Sequence, residues 1–584
     1  MSTRSLQAGP ADAASDLELL FGDPHEDGPF AHTAVIADDD ARRSSSFAEA
    51  ILDEWGAAGE FVPLSLGGRW GDTADLVARL RPVFRRDPSV GFGHALASLT
   101  AAVGVWVAGS AQQQSDLARR LLRGERIAAA FAELEHGDRG AGCIAEAVDG
   151  RWRVTGGEQI VLGRGRTDSV LILARTGDDA EAASLSLLLW TGAASPLTTG
   201  GADRVLTAGL RGAGAGALRF DGAEVPASAM IGAPGTGGDT ARIATQVTRA
   251  IVPALAIASV EAALHEAILY ARSRLLYGAT VLDIPHARAL YADALADTLL
   301  ADAFSTAIVR SLHDAPDESF LLSAAGAHLI PRLLSETMRQ LSVLASSTFY
   351  ARLEPYALIE KLVRDLAGVQ AGLAGGGSAL LDVVSILPTW ARQPLQTQEP
   401  DLRLLAAPRQ PREPDFAALG LDASADPLGA TLEDPGVREA LAARAPGLLR
   451  LVEELAERYA AARALARSLT PHANPWAAPA ATFDLAREIA LHLSAAAVLG
   501  MWASLPDSGE IGADALIAEA CLRRVLGRLD GRHEPLPDEV VERLVRHGEQ
   551  CAAGSRSVGL HPVPVYPSAG PHPAAADPTE RTRS

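Results

Sequence analysis

The spacing of apolar residues changes twice along this chain, and that change constrains its fold more than any single motif. From 46 to 123 apolar residues recur at intervals of three and four, as in LVARLRPVF, which is typical of amphipathic helices. From 127 to 232 they form short runs such as SVLILART between Gly and Asp-Gly turns, which predicts strands. Helical spacing returns from 237 to 372 in four long stretches, which predicts an antiparallel bundle.

Composition changes mark the remaining boundaries of this 584-residue chain, whose length alone predicts several domains. The first 30 residues and the Pro-rich C-terminal tail are poor in large apolar side chains, which predicts disorder. A segment rich in Pro, Asp and Gln precedes four more predicted amphipathic helices. The predicted division is a disordered leader at 1–30, an N-terminal helical domain at 31–125, a β domain at 126–236, a helical bundle at 237–395, a linker at 396–436, an extra helical domain at 437–558 and a disordered tail at 559–584.

Charge and cysteine content exclude several classes of function. The net charge is −20 and the sequence pI is about 5.2, so we expect no nucleic-acid partner, because that binding needs clustered Lys and Arg. The three cysteines lack metal-ligand spacing and no signal-like segment is evident. The chain is therefore expected to be cytoplasmic, with no metal site and membrane attachment unlikely on composition. Four histidines interpreted as surface or packing residues are His136, His265, His286 and His328.

Two motifs in fixed order point to a known family. Between Gly209 and Gly232 the chain reads GLRGAGAGALRFDGAEVPASAMIG, and the Ala-rich helical stretch that follows carries ARSRLLYG at 271–278. This order resembles the acyl-CoA dehydrogenase superfamily, in which a strand ending in Phe-Asp, a Val-Pro turn and a Gly precede a helix bearing Arg-x-x-aromatic-Gly. The resemblance covers residues 46–385. It implies a mainly α fold with a central β domain, followed here by an extra helical domain.

The resemblance also implies bound FAD. In the family the arginine of the helix motif, here Arg274 followed by Tyr277, reaches the flavin dinucleotide of a neighbouring subunit. FAELEHGDR stands where relatives carry Leu-Thr-Glu-Pro-x-Ala-Gly-Ser-Asp, so Glu133 and Gly137 match this cofactor-binding segment. Gln159 takes the place of an aromatic residue that often covers the flavin ring.

Other cofactor positions differ from the family pattern. Ala132 and Asp138 replace flavin-contacting hydroxyl residues, and an aspartate there would repel the flavin rather than donate to it. Ala345 and Ser346 stand near the two adjacent glycines that close over the adenosine end of the dinucleotide. Side chains at these positions predict a narrowed site, because glycine permits the closest backbone approach.

The catalytic base of the family is missing from both of its usual places. In most relatives a glutamate follows an Arg-Asp pair, here Arg364 and Asp365, and removes the proton α to the thioester carbonyl. That place falls on Leu373, Ala374 or Gly375, depending on the alignment. Some relatives instead carry the base just before an arginine of the central helix, a position held here by Thr248, whose hydroxyl has too high a pKa for this role. The nearby acids are Glu354, Glu360 and Asp382.

Three functions follow from the resemblance and stay open at this point. The first is FAD-linked α,β-oxidation of an acyl thioester, on CoA or an acyl-carrier protein, by the chain alone or within a heteromeric complex. The second is a flavin-dependent monooxygenase, which needs no carboxylate base. The third is a non-catalytic subunit paired with a complete homologue. The C-terminal extension resembles that of larger family members, which favours a dimer.

Overall fold

The computed structural model describes residues 10–131, 142–163, 167–176, 184–191, 205–353, 355–370, 375–393, 412–471, 474–505 and 510–566. Helices form both ends of this described chain, and a seven-stranded sheet lies between two helical parts. This order is the one that the apolar spacing predicts. The predicted domain boundaries remain predictions, although the first strand begins at Ile127 and the long bundle helix begins at Gly237.

Six helices of nine or more residues precede the sheet in the part of the chain that the structure describes. They are α1 (Pro10–Phe21), α2 (His32–Asp40), α3 (Ser46–Trp55), α4 (Thr73–Arg86), α5 (Leu99–Ala108) and α6 (Ala111–Leu122). Side-chain caps define several of their starts: Asp72 accepts from the backbone N–H of Ala74 before α4, and Ser110 forms a capping box with Gln113 before α6. A π-helical stretch, Gly91–Ala95, precedes α5.

The predicted disordered leader is wrong from Pro10 onwards. Helix α1 packs on α4, with Leu17 and Phe21 buried one turn apart on the same face. Glu18 is also buried and forms ion pairs with Arg85 and Arg86. The leader composition is polar on average, but this one apolar stripe and one paired acid are sufficient to order the segment against the core.

The sheet contains the strands that the short apolar runs predict. The strands are β1 (Ile127–Ala130), β2 (Cys143–Val148), β3 (Arg151–Val161), β4 (Ser169–Arg175), β5 (Leu185–Thr191), β6 (Gly216–Pro226) and β7 (Met230–Ile231). Their order is β6-β3-β2-β4-β5-β7, and β1 pairs in parallel with β4. Alternate residues of β6 are buried, and Phe220 and Val225 join Val154 and Ile172 in a core of its own.

Long helices form the bundle after the sheet. They are α7 (Gly237–Ser273), α8 (Pro285–Asp314), α9 (Pro316–Tyr350), α10 (Ala357–Gly368) and α11 (Gly376–Trp390), and a hairpin of β8 (Leu275–Leu276) and β9 (Ala279–Thr280) follows α7. Helices α7, α8 and α9 pack closely on one another. Ala, Leu and Val fill the contacts, so α7 is buried along most of its length.

The C-terminal part contains five helices among its described residues, whereas four are predicted. They are α12 (Pro435–Arg444), α13 (Leu449–Ser468), α14 (Ala480–Ser504), α15 (Ala515–Leu529) and α16 (Asp538–Ala553). The first predicted helix divides at Ala445, because Pro446 follows and begins a new turn. Ion pairs fix this part to the bundle: Asp297 of α8 accepts from Arg524 and Arg528 of α15 at 2.7 and 2.8 Å.

The predicted linker and tail are both ordered in part. Residue Asp426 of the linker is buried and accepts hydrogen bonds from Tyr459 and Arg463 of α13. In the tail, Val565 and Tyr566 are buried, and the guanidinium of Arg86 stacks over the Tyr566 ring at 4.5 Å. Aromatic and charged side chains with specific partners therefore anchor part of the predicted linker and part of the tail, although the Pro content of the tail predicts disorder.

Two stretches are long and apolar enough to cross a membrane, Pro88–Ala108 and Gly237–Ser273. In their most apolar windows 83% and 94% of the residues are buried inside the fold. This burial is the usual state of core helices in large proteins.

Candidate functional site

The strongest sequence motif, at Gly209–Gly212, joins three parts of the fold. The backbone N–H of Leu210 donates to Asp365 Oδ1 at 2.6 Å. A Cβ on Gly209 would lie 2.0 Å from the Arg364 carbonyl oxygen, and one on Gly212 would lie 2.7 Å from the Arg43 carbonyl oxygen. The motif therefore needs glycine because the loop passes directly against the backbone of α10 and of the segment after α2.

The Arg-Asp pair of α10 belongs to the same structural joint. Lys361 is fully buried, and its Nζ lies 2.5 Å from Asp365 Oδ2 and 2.8 Å from Asp87 Oδ1. Burial disfavours the lysine charge, but the Asp365 and Asp87 carboxylates raise the pKa of Lys361 above its usual range. Arg364 pairs with Asp39 and Glu360. These contacts give Arg364 and Asp365 a structural role. They hold α10 in place and thereby position the segment that follows it.

The two alternative places for a catalytic base are linked through Arg249, the residue that defines the convergence point of α7 and α11. Thr248 and Arg249 lie on α7, and Gly375 caps the start of α11 with a φ of 60°. A Cβ on Gly375 would lie 3.4 Å from Arg249 Nη2, and the same Nη2 donates to Ser378 Oγ at 2.9 Å. Leu373 and Ala374 lie outside the described residues. Arg249 thus links the start of α11 to the residue that follows Thr248, whereas the Thr248 hydroxyl itself faces Thr100.

At this convergence point the described side chains are polar but not basic. Thr248 Oγ1 lies 2.8 Å from Thr100 Oγ1 and donates to the Ala244 carbonyl at 2.9 Å. The nearest described carboxylate is Asp382, one turn after Ser378 on α11. Its two oxygens accept from Arg249 and Arg242, respectively. Arginine donors thus occupy both oxygens of that carboxylate.

The other acids considered from the sequence lie elsewhere. Glu360 is engaged by Arg364 and by Arg352, on the surface of α10. Glu354 lies outside the described residues. Among the described residues, Asp382 is therefore the one candidate acid from the sequence that the fold brings to the convergence point.

The helix motif forms a protruding hairpin. Leu276 pairs with Ala279 across a two-residue turn in which Tyr277 and Gly278 have φ values of 54° and 86°, which is a type I′ turn. Tyr277 is fully exposed, Leu275 is 65% exposed, and Arg274 makes no ion pair with any residue that the structure describes. These side chains are available for contact with another molecule.

The remaining cofactor positions are only partly described. Ser346 has a φ of 51° and a ψ of −129° inside α9, and it breaks the helix there. Such a conformation is natural for glycine and strained for other residues, and here a serine adopts it. Ala345 is buried. Gln159 lies in β3 at an irregularity between Glu158 and Val161, and Glu133 and Gly137 lie outside the described residues.

A polar cluster beside the sheet has no sequence signal. His94, in the π-helical stretch, has its Nε2 atom 2.9 Å from Asp53 Oδ1 and 2.9 Å from Arg126 Nη2. Burial and the Arg126 charge lower the pKa of His94. The adjacent Gly93 packs so closely that a Cβ would lie 2.5 Å from the Ala213 carbonyl oxygen. π-Helical turns often occur at functional sites, and this one joins the N-terminal helices to the sheet.

A sheet inserted between helices and an antiparallel bundle, with an exposed Arg-bearing hairpin after the first bundle helix, defines the acyl-CoA dehydrogenase fold. The probable acyl-CoA dehydrogenase FadE25 of Mycobacterium tuberculosis is 25% identical over 298 residues, which is 50% of this chain and 75% of that protein. Butyryl-CoA dehydrogenase from Megasphaera elsdenii has a TM-score of 0.57 at 19% identity and covers 63% of this chain and 96% of its own.

A further solved structure widens the range of substrate carriers among similar proteins. The prolyl acyl carrier protein oxidase AnaB has a TM-score of 0.56 at 16% identity and covers 65% of this chain and 97% of its own. No protein-family model matches the chain. These relatives agree with the resemblance that the motifs carry: the chain is similar in sequence and in fold to members of the acyl-CoA dehydrogenase superfamily.

Proposed function

We propose that this protein is an FAD-dependent oxidoreductase that oxidises the α,β bond of an acyl thioester, carried by CoA or by an acyl-carrier protein. The observation that carries the proposal is the contact of Arg249 with Ser378 and with the Gly375 position, which joins the start of α11 to the residue that follows Thr248. The two family base positions thus lie on elements that Arg249 links, although neither carries a carboxylate.

The described residues fit a flavin dinucleotide at its adenosine and pyrophosphate end. Arg274 is exposed on a rigid hairpin, and guanidinium groups bind phosphates through paired N–H donors. Ser346 has a glycine-like backbone conformation near the place where the family carries its paired glycines. These residues would hold FAD contributed by an adjacent subunit. FAD, when bound, supplies the hydride acceptor for α,β-oxidation.

An assembly of two or more subunits is part of the proposal. The hairpin offers a surface for such an assembly. The exposed Tyr277 and Leu275 make this surface apolar, and Arg274 at the base of the hairpin makes it cationic there. In the family this hairpin reaches the neighbouring subunit. We propose a homodimer or a heteromer with a homologous subunit, in the cytoplasm, where three buried free cysteines would stay reduced.

The substitution of both base positions favours one alternative, a partner subunit that completes the site of a homologue. Thr248 carries a hydroxyl and Gly375 carries no side chain, while Asp382 is held by Arg249 and Arg242. A general base must be within hydrogen-bond reach of the proton that it removes. A second polypeptide, or an acid placed by substrate binding, would then supply this group.

One experiment separates these functions. The purified protein is examined by visible absorption, and acyl-CoA esters or acyl-carrier thioesters are then added without oxygen. Yellow protein that bleaches supports dehydrogenation. A flavin that is reduced only by an external reductase, and then consumes oxygen, supports a monooxygenase. Colourless protein that co-purifies with a yellow homologue supports the partner subunit.

A further inference from the structure

Three histidines and one glutamate from distant parts of the chain meet in a buried cluster. The His–Glu cluster consists of His25, His32, His265 and Glu266. Glu266 and His265 lie next to each other on α7, while His25 and His32 come from the segment between α1 and the start of α2. Glu266 is fully buried, and the side chains of His32 and His265 are 3% and 8% exposed.

The cluster concentrates metal-ligand atoms at one point. Glu266 Oε1 lies 2.8 Å from His25 Nε2, 3.2 Å from His32 Nε2 and 3.6 Å from His265 Nδ1. One ligand atom each from His25, His265 and Glu266 lie within 4.8 Å of one another. Donor atoms around a tetrahedral zinc ion, at bonds of about 2.0–2.1 Å, are separated by about 3.4 Å. These separations lie on both sides of that value, and an ion would enter once side-chain rotation opens the 2.8 Å contact between His25 and Glu266.

Hydrogen bonding alone leaves this cluster incomplete. The Nε2 atom of His265 and the Oε2 atom of Glu266 are buried without a hydrogen-bond partner among the described residues, and the other ring nitrogen of His265, Nδ1, has only its 3.6 Å contact with Glu266 Oε1. Buried polar atoms in folded proteins nearly always have a partner. An ion between His265 and Glu266 would engage one of these nitrogens and the carboxylate together.

The surroundings of His25 match the second shell of a metal site. Its Nδ1 atom lies 3.0 Å from Asp23 Oδ1, and the same oxygen accepts from the His25 backbone N–H at 2.9 Å. A carboxylate that holds the far nitrogen of a histidine orients its Nε2 towards the metal in many zinc proteins. Asp23 thereby aims His25 Nε2 at Glu266.

The guanidinium groups of Arg85 and Arg86 lie near the cluster but bind other acidic side chains. The guanidinium of Arg86 donates to Glu18 Oε2 at 3.0 Å and to the Gly22 carbonyl at 2.6 Å, and it stacks on Tyr566. Arg85 pairs with Glu18 and with Glu261. Their charges are matched by these acids, so Glu266 and Asp23 are left to balance a cation in the cluster, which is either a protonated His25 or a bound metal ion.

We propose that His25, His265 and Glu266 bind one divalent transition-metal ion of the zinc type, with Asp23 and His32 holding the ligands in place. Two imidazoles and a carboxylate are a donor set suited to zinc and to its neighbours in the first transition row. The ion would join the segment before α2 to the central bundle helix. The Tyr566 ring packs edge-on against His265 at 4.9 Å, so the C-terminal segment closes the site.

The sequence gives no sign of this site, since 241 positions separate His25 from Glu266. No short spacing of the kind found in zinc motifs is present, and the expectation of no metal site follows from that spacing alone. The fold brings the ligands together only when α1 and the following segment dock on α7.

The test is a metal titration of the full-length protein after treatment with a chelator. Cobalt(II) replaces zinc in such sites and its visible absorption reports coordination by four or five ligands. We expect one cobalt ion per chain, displaced by zinc, and an increase in the melting temperature when zinc is added. Absence of stoichiometric binding by the wild-type chain would overturn the proposal.

Variants distinguish this site from surface histidines. His265→Gln and Glu266→Gln keep size and polarity, and each is expected to weaken cobalt binding at least tenfold. Asp23→Asn is expected to weaken it about 10- to 100-fold, as second-shell changes do. His492→Gln, which removes a buried imidazole in α14, is the matched control and is expected to bind cobalt as the wild type does.

The variants also have a folding control. Circular dichroism and gel filtration identify any variant that does not fold, and the wild-type titration stands without them. If His265→Gln and Glu266→Gln fold and bind cobalt as tightly as the wild type, the cluster is a hydrogen-bonded structural feature and the proposal is wrong.

Discussion

The backbone N–H of Leu210 donates to Asp365 Oδ1 at 2.6 Å, across 155 positions of sequence. The other oxygen of Asp365 lies 2.5 Å from the buried ammonium of Lys361. One carboxylate thus connects the glycine-rich motif to the bundle. In this protein the motif that identifies the family is explained by packing and polar contacts at a domain joint.

The first prediction concerns the stability of this joint. Asp365→Asn removes the charge that balances Lys361 and leaves only Asp87 beside a fully buried ammonium group. Loss of one partner of a buried ion pair costs about 3–5 kcal/mol, and the remaining Asp87 places the expected loss near the lower value, about 3 kcal/mol. Urea denaturation followed by circular dichroism measures the change in unfolding free energy.

The matched control for Asp365→Asn is a surface ion pair. Glu454 pairs with Arg458 across one turn of α13, with side chains that are 46% and 33% exposed. Glu454→Gln is expected to cost less than about 1 kcal/mol. Equal losses in the two variants would show that Asp365 contributes no more than a surface carboxylate.

A second prediction tests whether the base position on α7 still faces a substrate. Thr248→Glu places a carboxylate where some relatives carry the base, in the space next to Thr100. A positioned base contributes about 10²–10⁴-fold to proton abstraction. Flavin bleaching by acyl-CoA without oxygen is therefore expected to be about 100-fold faster than in Thr248→Gln, which matches its size without a charge.

The comparison of Thr248→Glu with Thr248→Gln also separates binding from chemistry. Both variants are expected to bind the flavin and the acyl thioester alike, measured by absorption and by calorimetry. If Thr248→Glu binds both but bleaches no faster than Thr248→Gln, the α7 position does not face the α carbon.

The periodicity of apolar residues is sufficient to predict most of the fold. The strands SVLILART and SLSLLLW and the long bundle helices occur where the spacing predicts them, because their side chains face a core through local repeats of two or of three and four. The same reasoning fails for the leader, since Leu17, Phe21 and Glu18 are ordered by α4 and not by neighbours in sequence. A local sequence pattern does not show which distant elements pack against each other.

The contacts of the candidate functional site are harder to predict from the sequence than the fold is. Motif matching finds Arg274, Tyr277 and Thr248, whose positions follow from their order along the chain. It misses the contact of Gly375 with Arg249 and the pairing of Asp382, because these depend on how α7 meets α11.

A third prediction concerns assembly through the hairpin. Tyr277 is fully exposed, so Tyr277→Asp removes no intramolecular packing. The melting temperature is therefore expected to change no more than it does in an ordinary surface substitution. If the hairpin docks on another subunit, the charge is buried unpaired in the assembly. We expect at least a tenfold weaker self-association by light scattering and a lower flavin content.

The control for the hairpin is another exposed apolar residue. Leu465 on α13 is 55% exposed, and Leu465→Asp is expected to leave association and flavin content unchanged. An association constant for Tyr277→Asp equal to that of Leu465→Asp would exclude the hairpin from the subunit contact.

A fourth prediction gives a pH dependence that does not involve the flavin site. His492 Nδ1 donates to the Glu488 carbonyl at 2.8 Å, and its buried Nε2 has no hydrogen-bond partner among the described residues. Burial lowers the pKa of His492 from 6.5 to about 4. Between these pH values the unfolded chain binds a proton that the folded protein does not, so the folded state loses stability as the pH falls.

This histidine contributes its full stabilisation above pH 6.5 and loses it as the pH falls towards about 4, by about 3 kcal/mol. His492→Gln has no such titration, so its unfolding free energy, measured by urea denaturation at both ends of this window, is expected to fall less than that of the wild type. The wild-type minus variant difference cancels the contributions of the other titrating groups that the two proteins share. A difference that stays constant across the window would contradict the prediction. It would mean that the pKa of His492 in the folded protein equals that of an exposed histidine, because water or an opposite charge reaches Nε2.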